Sequence, residues 1–152
     1  MIPAEQRLVL VRHAKSSHPA GLDDHERPLD ERGRLEAVQI GRRLAEVGWC
    51  PDGVVCSDAV RALGTWQRMA AAFGAVPVEV TRRLYHAGSE DLEEVLADRF
   101  GLVEEADTRC VFAVGHNPGW EEVAHALSGV EVRLATATAA LLRRRVPTAW
   151  SE

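Results

Sequence analysis

The sequence has very little lysine and no block of basic residues. Lys15 is the only lysine, so nearly all of the 18 basic side chains are arginines, and 23 acidic residues leave a formal net charge of -5. This balance argues against general binding to nucleic acid or to an anionic membrane surface. The arginines still matter one by one, because a guanidinium can hold the oxygens of a phosphate group.

Cysteine and long apolar runs are scarce as well. Cys50, Cys56 and Cys110 are odd in number and show no CxxC spacing, which favours neither a disulfide framework nor a zinc site. No apolar run approaches the roughly 20 residues that a transmembrane helix needs. The first residues, MIPAEQR, do not have the pattern of a signal peptide. We therefore expect a cytoplasmic protein.

What the sequence does contain is an alternation of strand and helix patterns. Its 152 residues, 46% of them apolar, suit a single domain over residues 1–152. Apolar runs predict strands at residues 8–11, 54–56, 76–80, 110–114 and 134–142, and helical spacing predicts helices after Asp30, after Ser57, over 89–100 and over 118–127. The pattern indicates an α/β fold of three layers, with a mostly parallel central sheet between helices. The short connection before the last strand predicts an antiparallel edge strand.

Three strand-to-helix junctions carry polar side chains. The first has Arg12 and His13, followed by a loop of about 16 residues, far longer than usual. The second reads CSDAVRALGT, where Ser57 is the expected N-cap and Arg61 lies one turn into the helix. The third reads VGHNPGW, where His116 ends the strand and Asn117 is the expected N-cap.

Ligands of open parallel sheets bind at the carboxyl ends of the strands, which is where all three junctions lie. Two histidines and two arginines would then form a small cationic pocket able to move protons. Taken singly, each side chain is as readily explained as a structural residue, but together they match what phosphoryl transfer needs. A bound phosphate would also be the partner that Arg12 requires at the end of a buried strand.

The chain resembles the histidine phosphatase superfamily, named for its RHG motif, and is most similar to its small SixA-type phosphohistidine phosphatases. Five segments carry the resemblance, in the family's order: RHAKS at 12–16, DHERPLDERG at 24–33, PDGVVCSDAVRALGT at 51–65, LYHA at 84–87 and VGHNPG at 114–119. The resemblance implies a phosphoglycerate-mutase-like fold and a hydrolase. We expect no cofactor, and no metal, because the guanidinium groups can supply the electrostatic stabilisation. The implied substrate is a phosphohistidine protein or a small phosphorylated metabolite.

The resemblance also implies the roles of the site residues. His13 would be the nucleophile that accepts the phosphoryl group, and Arg12, Arg61 and His116 would complete the phosphate pocket. A neutral imidazole is a competent nucleophile near neutral pH, and the other three groups can hold the equatorial oxygens of the transferred group. Further candidates for binding the substrate at the mouth of the pocket are Ser16, Arg27 and Asn117.

Two positions are less well defined by the sequence. Asp58 stands where the family usually has proline, which places an additional carboxylate near an anion site. The general acid for the leaving group has three candidates, Asp23, Asp24 and Glu90, and the sequence does not choose among them. Since a phosphoramidate leaves more easily than an alkoxide, a site poor in general acid suits phosphohistidine or another activated phosphate.

Three alternatives compete with a phosphatase. A phosphate-binding module on the same fold would not turn its ligand over, but it would need the arginines only, whereas both histidines are present. A phosphoglycerate-mutase-like mutase shares the pocket, yet the chain lacks the length for a lid over a sugar phosphate. A metal site is disfavoured because the six histidines show neither HxxxH nor HExxH spacing.

Overall fold

The computed structural model of the chain describes residues 5–100 and 110–145. Its strands are β1 (Glu5–Arg12), β2 (Gly53–Ser57), β3 (Val78–Thr81), β4 (Cys110–Gly115) and β5 (Ala139–Arg145). Its α-helices are α1 (Glu31–Glu46), α2 (Val60–Met69), α3 (Ser89–Phe100) and α4 (Gly119–Ser128). Single 3₁₀ turns occur at Asp24–Glu26, Ala70–Ala72 and Arg82–Leu84. None of the helices in these two stretches is both long enough and apolar enough to span a bilayer.

The five strands form one sheet in the order β3-β2-β4-β1-β5. β1, β2 and β4 lie in the middle and run parallel, with Arg12 opposite Gly115 where β1 and β4 end. β3 is a parallel edge strand, and β5 pairs antiparallel with β1 on the other edge. This arrangement confirms the predicted fold class, including its antiparallel edge.

Alternate residues of the central strands supply two separate cores. One core contains Leu8, Leu10 and Val55 together with apolar residues of α3 and α4. The other contains Val9, Val11 and further residues that pack against α1 and α2. Because successive side chains of a strand point to opposite faces, continuous apolar runs are what a sheet covered on both sides requires. The fold therefore has three layers, as predicted.

The ends of several elements differ from the sequence-based expectation. Asp30 does cap α1, accepting from the backbone N–H of Gly33 at 2.7 Å. Ser57 does not cap α2, because it is the last residue of β2 and the helix starts three residues later. Asn117 does not cap α4, which begins after Pro118. In both cases the side chain that looked like a cap is bound elsewhere.

The last strand begins five residues later than predicted. Residues 129–138 form an irregular connection, and only from Ala139 onward does the chain pair with β1. Leu134 was assigned to the strand by its apolar character, but its side chain is buried in the core on the α3–α4 side of the sheet. Its backbone carbonyl accepts a hydrogen bond from the side chain of Arg12.

Candidate active site

His13 lies at the carboxyl end of β1 with its ring fixed by the backbone. Its Nδ1 is 2.8 Å from the carbonyl oxygen of Ala14. A carbonyl can only accept, so Nδ1 carries a proton, and in the neutral ring Nε2 then keeps its lone pair. The backbone of His13 is also held, since its N–H donates to Gly115 and its carbonyl accepts from Ala137. The ring of His13 is therefore held in the orientation, and in its neutral form also in the tautomer, that a nucleophile needs.

His116 follows β4 directly and lies beside His13. The two ring centroids are 5.2 Å apart and the rings are inclined by 53°. Nε2 of His116 is 2.8 Å from Oγ of Ser57, a residue with no solvent exposure. Nδ1 of His116 is buried without a hydrogen-bond partner among the described residues. Ser57 thus orients the second imidazole, and Nδ1 retains its full hydrogen-bonding capacity.

Arg61 reaches this place from the first turn of α2 and is 6% exposed. Its terminal nitrogens bind Asp24: Nη1 donates to the backbone oxygen at 2.6 Å, and Nη2 donates to Oδ2 at 3.0 Å. Its Nε is buried and without a hydrogen-bond partner among the described residues. One edge of this guanidinium is therefore satisfied by the protein, and the Nε edge retains unused donors.

Arg12 is positioned from the opposite side of the sheet end. Its Nη1 donates to the carbonyl oxygen of Leu134 at 2.8 Å, and its Nε is buried without a partner in the described stretches. The same carbonyl accepts from Nδ2 of Asn117 at 2.8 Å. Nδ2 of Asn117 also donates to Oε1 of Glu121, which accepts the backbone N–H of Leu134 as well. The connection at residues 129–138 thus places a carbonyl against Arg12.

Thr65 links the first two junctions. Its hydroxyl accepts the backbone N–H of Ala14 at 2.9 Å and donates to the carbonyl oxygen of Arg61 at 2.7 Å. Thr65 has no solvent exposure. One buried side chain in α2 therefore fixes the backbone beside His13 relative to the helix that carries Arg61.

The buried cluster has the electrostatics of an anion site. Burial lowers the pKa of His13 to about 4; Arg61 and Arg12 add to this effect, and the hydrogen bond to Ala14 opposes it. Burial and the neighbouring His13 lower the pKa of His116 to about 3. Both imidazoles are therefore neutral at pH 7, while two guanidiniums keep their charge. We call Arg12, His13, Arg61 and His116 the histidine–arginine pocket.

The three candidates for the general acid lie in different surroundings. Asp24 is bound to Arg61, and the hydroxyl of Tyr85 donates to its Oδ2. The hydrogen bond from Tyr85 is the main cause that lowers the pKa of Asp24 to about 2, so this carboxyl is ionised at neutral pH. Asp23 and Glu90 are exposed, and within the described residues neither side chain has a hydrogen bond to the histidine–arginine pocket.

The three residues predicted at the mouth of the pocket differ in their surroundings. Arg27 is close, since its Nε lies 3.1 Å from Oδ1 of Asp24. Ser16 is half-buried and forms an isolated backbone bridge with Leu29. Asn117 is beside the pocket, but its amide N–H groups are used by Leu134 and Glu121. Binding of substrate by these three residues stays a prediction.

Sequence reasoning gave too little weight to Tyr85. The hydroxyl of Tyr85 donates to Asp24. Its ring lies edge-on to the ring of His116, with 5.6 Å between the centroids, and its centroid is 5.8 Å from Cζ of Arg61. No spacing rule connects Tyr85, which follows the Arg82–Leu84 turn, with the segment that carries Asp24. The sequence feature that could have indicated a role for Tyr85 in the site is the LYHA segment, one of the five segments that carry the family resemblance.

Asp58 also has a partner that the sequence did not reveal. Its Oδ1 lies 2.7 Å from Nε2 of His25. The extra carboxylate is therefore engaged with the Asp24–Glu26 turn. Across residues 5–100 and 110–145, no three His, Cys, Asp or Glu side chains are grouped so that they could hold a metal ion.

Comparison with known proteins places this geometry in a family. The profile described as histidine phosphatase superfamily (branch 1) matches residues 8–98. An uncharacterized chloroplastic protein of Arabidopsis thaliana is 35% identical over 97% of this chain and 70% of its own length. An uncharacterized protein of Mycobacterium tuberculosis is 34% identical over 79% of this chain and 71% of its own length.

Solved structures agree with the profile. A candidate phosphohistidine phosphatase SixA from Agrobacterium tumefaciens is 28% identical with a TM-score of 0.79, covering 93% of this chain and 95% of that one. Another from Nakamurella multipartitia is 28% identical with a TM-score of 0.81, covering 98% of this chain and 90% of that one. These neighbours support a hydrolase of the phosphatase type. The chain belongs to the histidine phosphatase superfamily, in its SixA-type group.

Proposed function

We propose that the protein is a metal-independent phosphatase that works through a phosphohistidine intermediate on His13. The observation that carries the proposal is the pairing of two buried imidazoles 5.2 Å apart, with Nδ1 of His13 committed to a backbone carbonyl. That commitment leaves Nε2 as the free nucleophile. Splitting hydrolysis into transfer to the enzyme and release from it replaces one difficult step by two easier ones.

The positions of the groups support a reaction in two steps. In the first, Nε2 of His13 forms a bond to phosphorus while the bond from phosphorus to the leaving atom breaks and the leaving group takes up a proton from water. In the second, water attacks the phosphorus, the N–P bond breaks, and inorganic phosphate leaves as the neutral imidazole is restored. Arg12, Arg61 and the unpartnered Nδ1 of His116 supply donors for the phosphoryl oxygens, whose charge grows in the transition state. Nδ1 of the neutral His116 ring is a donor when Nε2 accepts from the hydroxyl of Ser57.

The surroundings of the acidic residues favour an activated phosphoryl donor. Asp24 is held as a carboxylate, and Asp23 and Glu90 are exposed side chains. A site without a protonated carboxyl suits a leaving group that departs easily. We therefore propose phosphohistidine in a protein as the substrate, with a small activated phosphate as the second candidate. The two neighbours described as candidate phosphohistidine phosphatases support this choice.

The test is hydrolysis of p-nitrophenyl phosphate by the wild type and by His13→Ala, with and without a chelator. We expect the chelator to have no effect and the substitution to lower kcat by at least about 10³-fold, because nucleophile and intermediate are lost together. His125→Ala, at an exposed position of α4, is the matched control and should retain wild-type activity.

Labelled phosphate should be trapped on residue 13 after rapid acid-free quenching, and a phosphohistidine peptide should be turned over faster than a phosphoserine peptide. Activity that requires a metal, or that survives His13→Ala, would refute the mechanism. A preference for phosphoserine would refute the substrate class while leaving the intermediate intact.

A further inference from the structure

Asp24 holds one edge of the Arg61 guanidinium. The turn at Asp24–Glu26 brings both a backbone oxygen and a carboxylate oxygen to the terminal nitrogens, at 2.6 and 3.0 Å. A guanidinium has five donors in a rigid plane, so fixing the two terminal nitrogens also fixes the direction of its Nε edge. On that edge, Nε of Arg61 is buried and has no hydrogen-bond partner among the described residues.

The carboxylate is itself supported from two further sides. The hydroxyl of Tyr85 donates to the same Oδ2 that accepts from Arg61, and Nε of Arg27 lies 3.1 Å from Oδ1. The side chain of Asp24 is 55% exposed, whereas that of Arg61 is 7% exposed. An exposed carboxylate with these cationic and phenolic partners stays ionised and does not act as a proton donor at neutral pH. Its pKa of about 2 agrees with this.

A second attachment holds the turn itself. Nε2 of His25 lies 2.7 Å from Oδ1 of Asp58, just before α2 begins. The His25 ring also packs edge-on against Tyr85, with 4.8 Å between centroids. The turn is therefore tied to the start of the helix that carries Arg61 and to the residue that supports Asp24.

We propose that Asp24 is a positioning residue of the phosphate site: it binds the terminal nitrogens of Arg61 and directs the Nε edge of that guanidinium at the phosphoryl group. Tyr85 supports the carboxylate in this role. The inference rests on the proposed function only in that Arg61 binds the phosphoryl group. It replaces the general-acid role that the sequence left open for Asp24.

The test is Asp24→Asn, which keeps the size of the side chain and one acceptor but removes the charge. If Asp24 positions Arg61, binding of inorganic phosphate weakens and kcat/KM for p-nitrophenyl phosphate falls roughly tenfold to a hundredfold, because a small misplacement of a binding group is costly. Glu26→Gln, an exposed carboxylate in the same turn, is the matched control. It should leave both quantities unchanged.

The sign of the effect on phosphate binding is decisive. Removing a negative charge from an anion site would strengthen phosphate binding if Asp24 merely competed with the ligand for Arg61, so tighter binding by Asp24→Asn would overturn the proposal. Calorimetric titration with inorganic phosphate measures this without any turnover. Its outcome is therefore independent of whether His13 forms an intermediate.

Two further readouts separate positioning from proton donation. The loss in Asp24→Asn should be the same for phenyl phosphate as for p-nitrophenyl phosphate, whereas a general acid matters far more for the poorer leaving group. The loss should also vanish in an Arg61→Ala background, since Asp24 acts through that residue. A leaving-group-dependent loss, or an undiminished loss without Arg61, would refute the proposal. Tyr85→Phe should weaken phosphate binding in the same direction, but less.

Discussion

At the scale of single residues, the decisive feature is how each polar atom of the histidine–arginine pocket is used. The carbonyl of Ala14 accepts from Nδ1 of His13, and the hydroxyl of Ser57 is hydrogen-bonded to Nε2 of His116. Asp24 accepts from the terminal nitrogens of Arg61. Each of these partners satisfies one side of a functional group and leaves the other side unused. The pocket therefore presents hydrogen-bond donors and one lone pair in directions that are fixed before a ligand binds. Binding then requires little reorganisation of these groups.

The pH dependence of catalysis is a prediction at this scale. Since kcat/KM reports the ionisation of the free enzyme, and burial lowers the pKa of His13 to about 4, activity should persist well below pH 6.5. Below pH 4 it should fall as the nucleophile becomes protonated. The measurement is kcat/KM against pH, corrected for ionisation of the substrate, with circular dichroism to verify folding. An acid limb near pH 6.5 would contradict the buried, neutral state of His13.

The residue scale is also where sequence reasoning was least complete. Ser57 and Asn117 were predicted to be helix caps because their residue types and positions fit. In the fold, the side chain of Ser57 is hydrogen-bonded to His116, and that of Asn117 to Leu134 and Glu121. The contact between Tyr85 and Asp24 joins two irregular segments 61 residues apart. Local spacing contains no information about such a contact.

At the scale of elements, strands and helices with a strong apolar period were predictable. Residues 89–100 were predicted as a helix and form α3 with the same bounds, and the three central strands differ by at most a few residues. The sheet then brings the junctions to one edge, so the four pocket residues could be grouped from topology. The irregular connection at 129–138 could not be predicted, because its course is set by side chains of α4.

That connection gives a prediction at the element scale. Glu121→Ala removes the acceptor for the backbone N–H of Leu134 and for Asn117, leaving polar groups unpaired at a part-buried site. We expect a loss of about 1–3 kcal/mol in the free energy of unfolding. We also expect a raised KM, because the carbonyl that holds Arg12 is no longer fixed. Denaturant titration and steady-state kinetics measure the two effects.

Glu122→Ala is the control for this experiment, since Glu122 is the next residue of the same helix and is exposed. It should change the free energy of unfolding by no more than about 0.5 kcal/mol. Glu121→Gln keeps an acceptor and should recover most of the loss. Equal effects of the two alanine substitutions would show that Glu121 has no special part in holding the connection.

At the scale of the whole molecule, two buried neutral imidazoles link folding to pH. Their pKa values are lowered in the folded state, so between about pH 6.5 and pH 4 the unfolded chain binds more protons than the folded one. Stability is therefore complete above pH 6.5 and declines as the pH falls. Each imidazole contributes about 1.4 kcal/mol per pH unit within this window.

The prediction is checked by denaturant unfolding at several pH values between 4 and 8. His116→Gln should reduce the slope of the free energy of unfolding against pH by about 1.4 kcal/mol per unit, because one of the two linked groups is gone. His125→Ala, which removes an exposed histidine, should leave the slope unchanged. A slope that His116→Gln does not alter would show that this imidazole is not buried in its neutral form.

The backbone at Arg12 and His13 is held by residues near the end of the described chain. The amide of Arg12 donates to the carbonyl of Thr138, and the carbonyl of His13 accepts from the amide of Ala137. During synthesis, all four pocket residues leave the ribosome before the segment that locks the first two into place. The backbone of Arg12 and His13 is therefore held in place only after residues 137–138 have emerged and residues 139–145 have paired with β1.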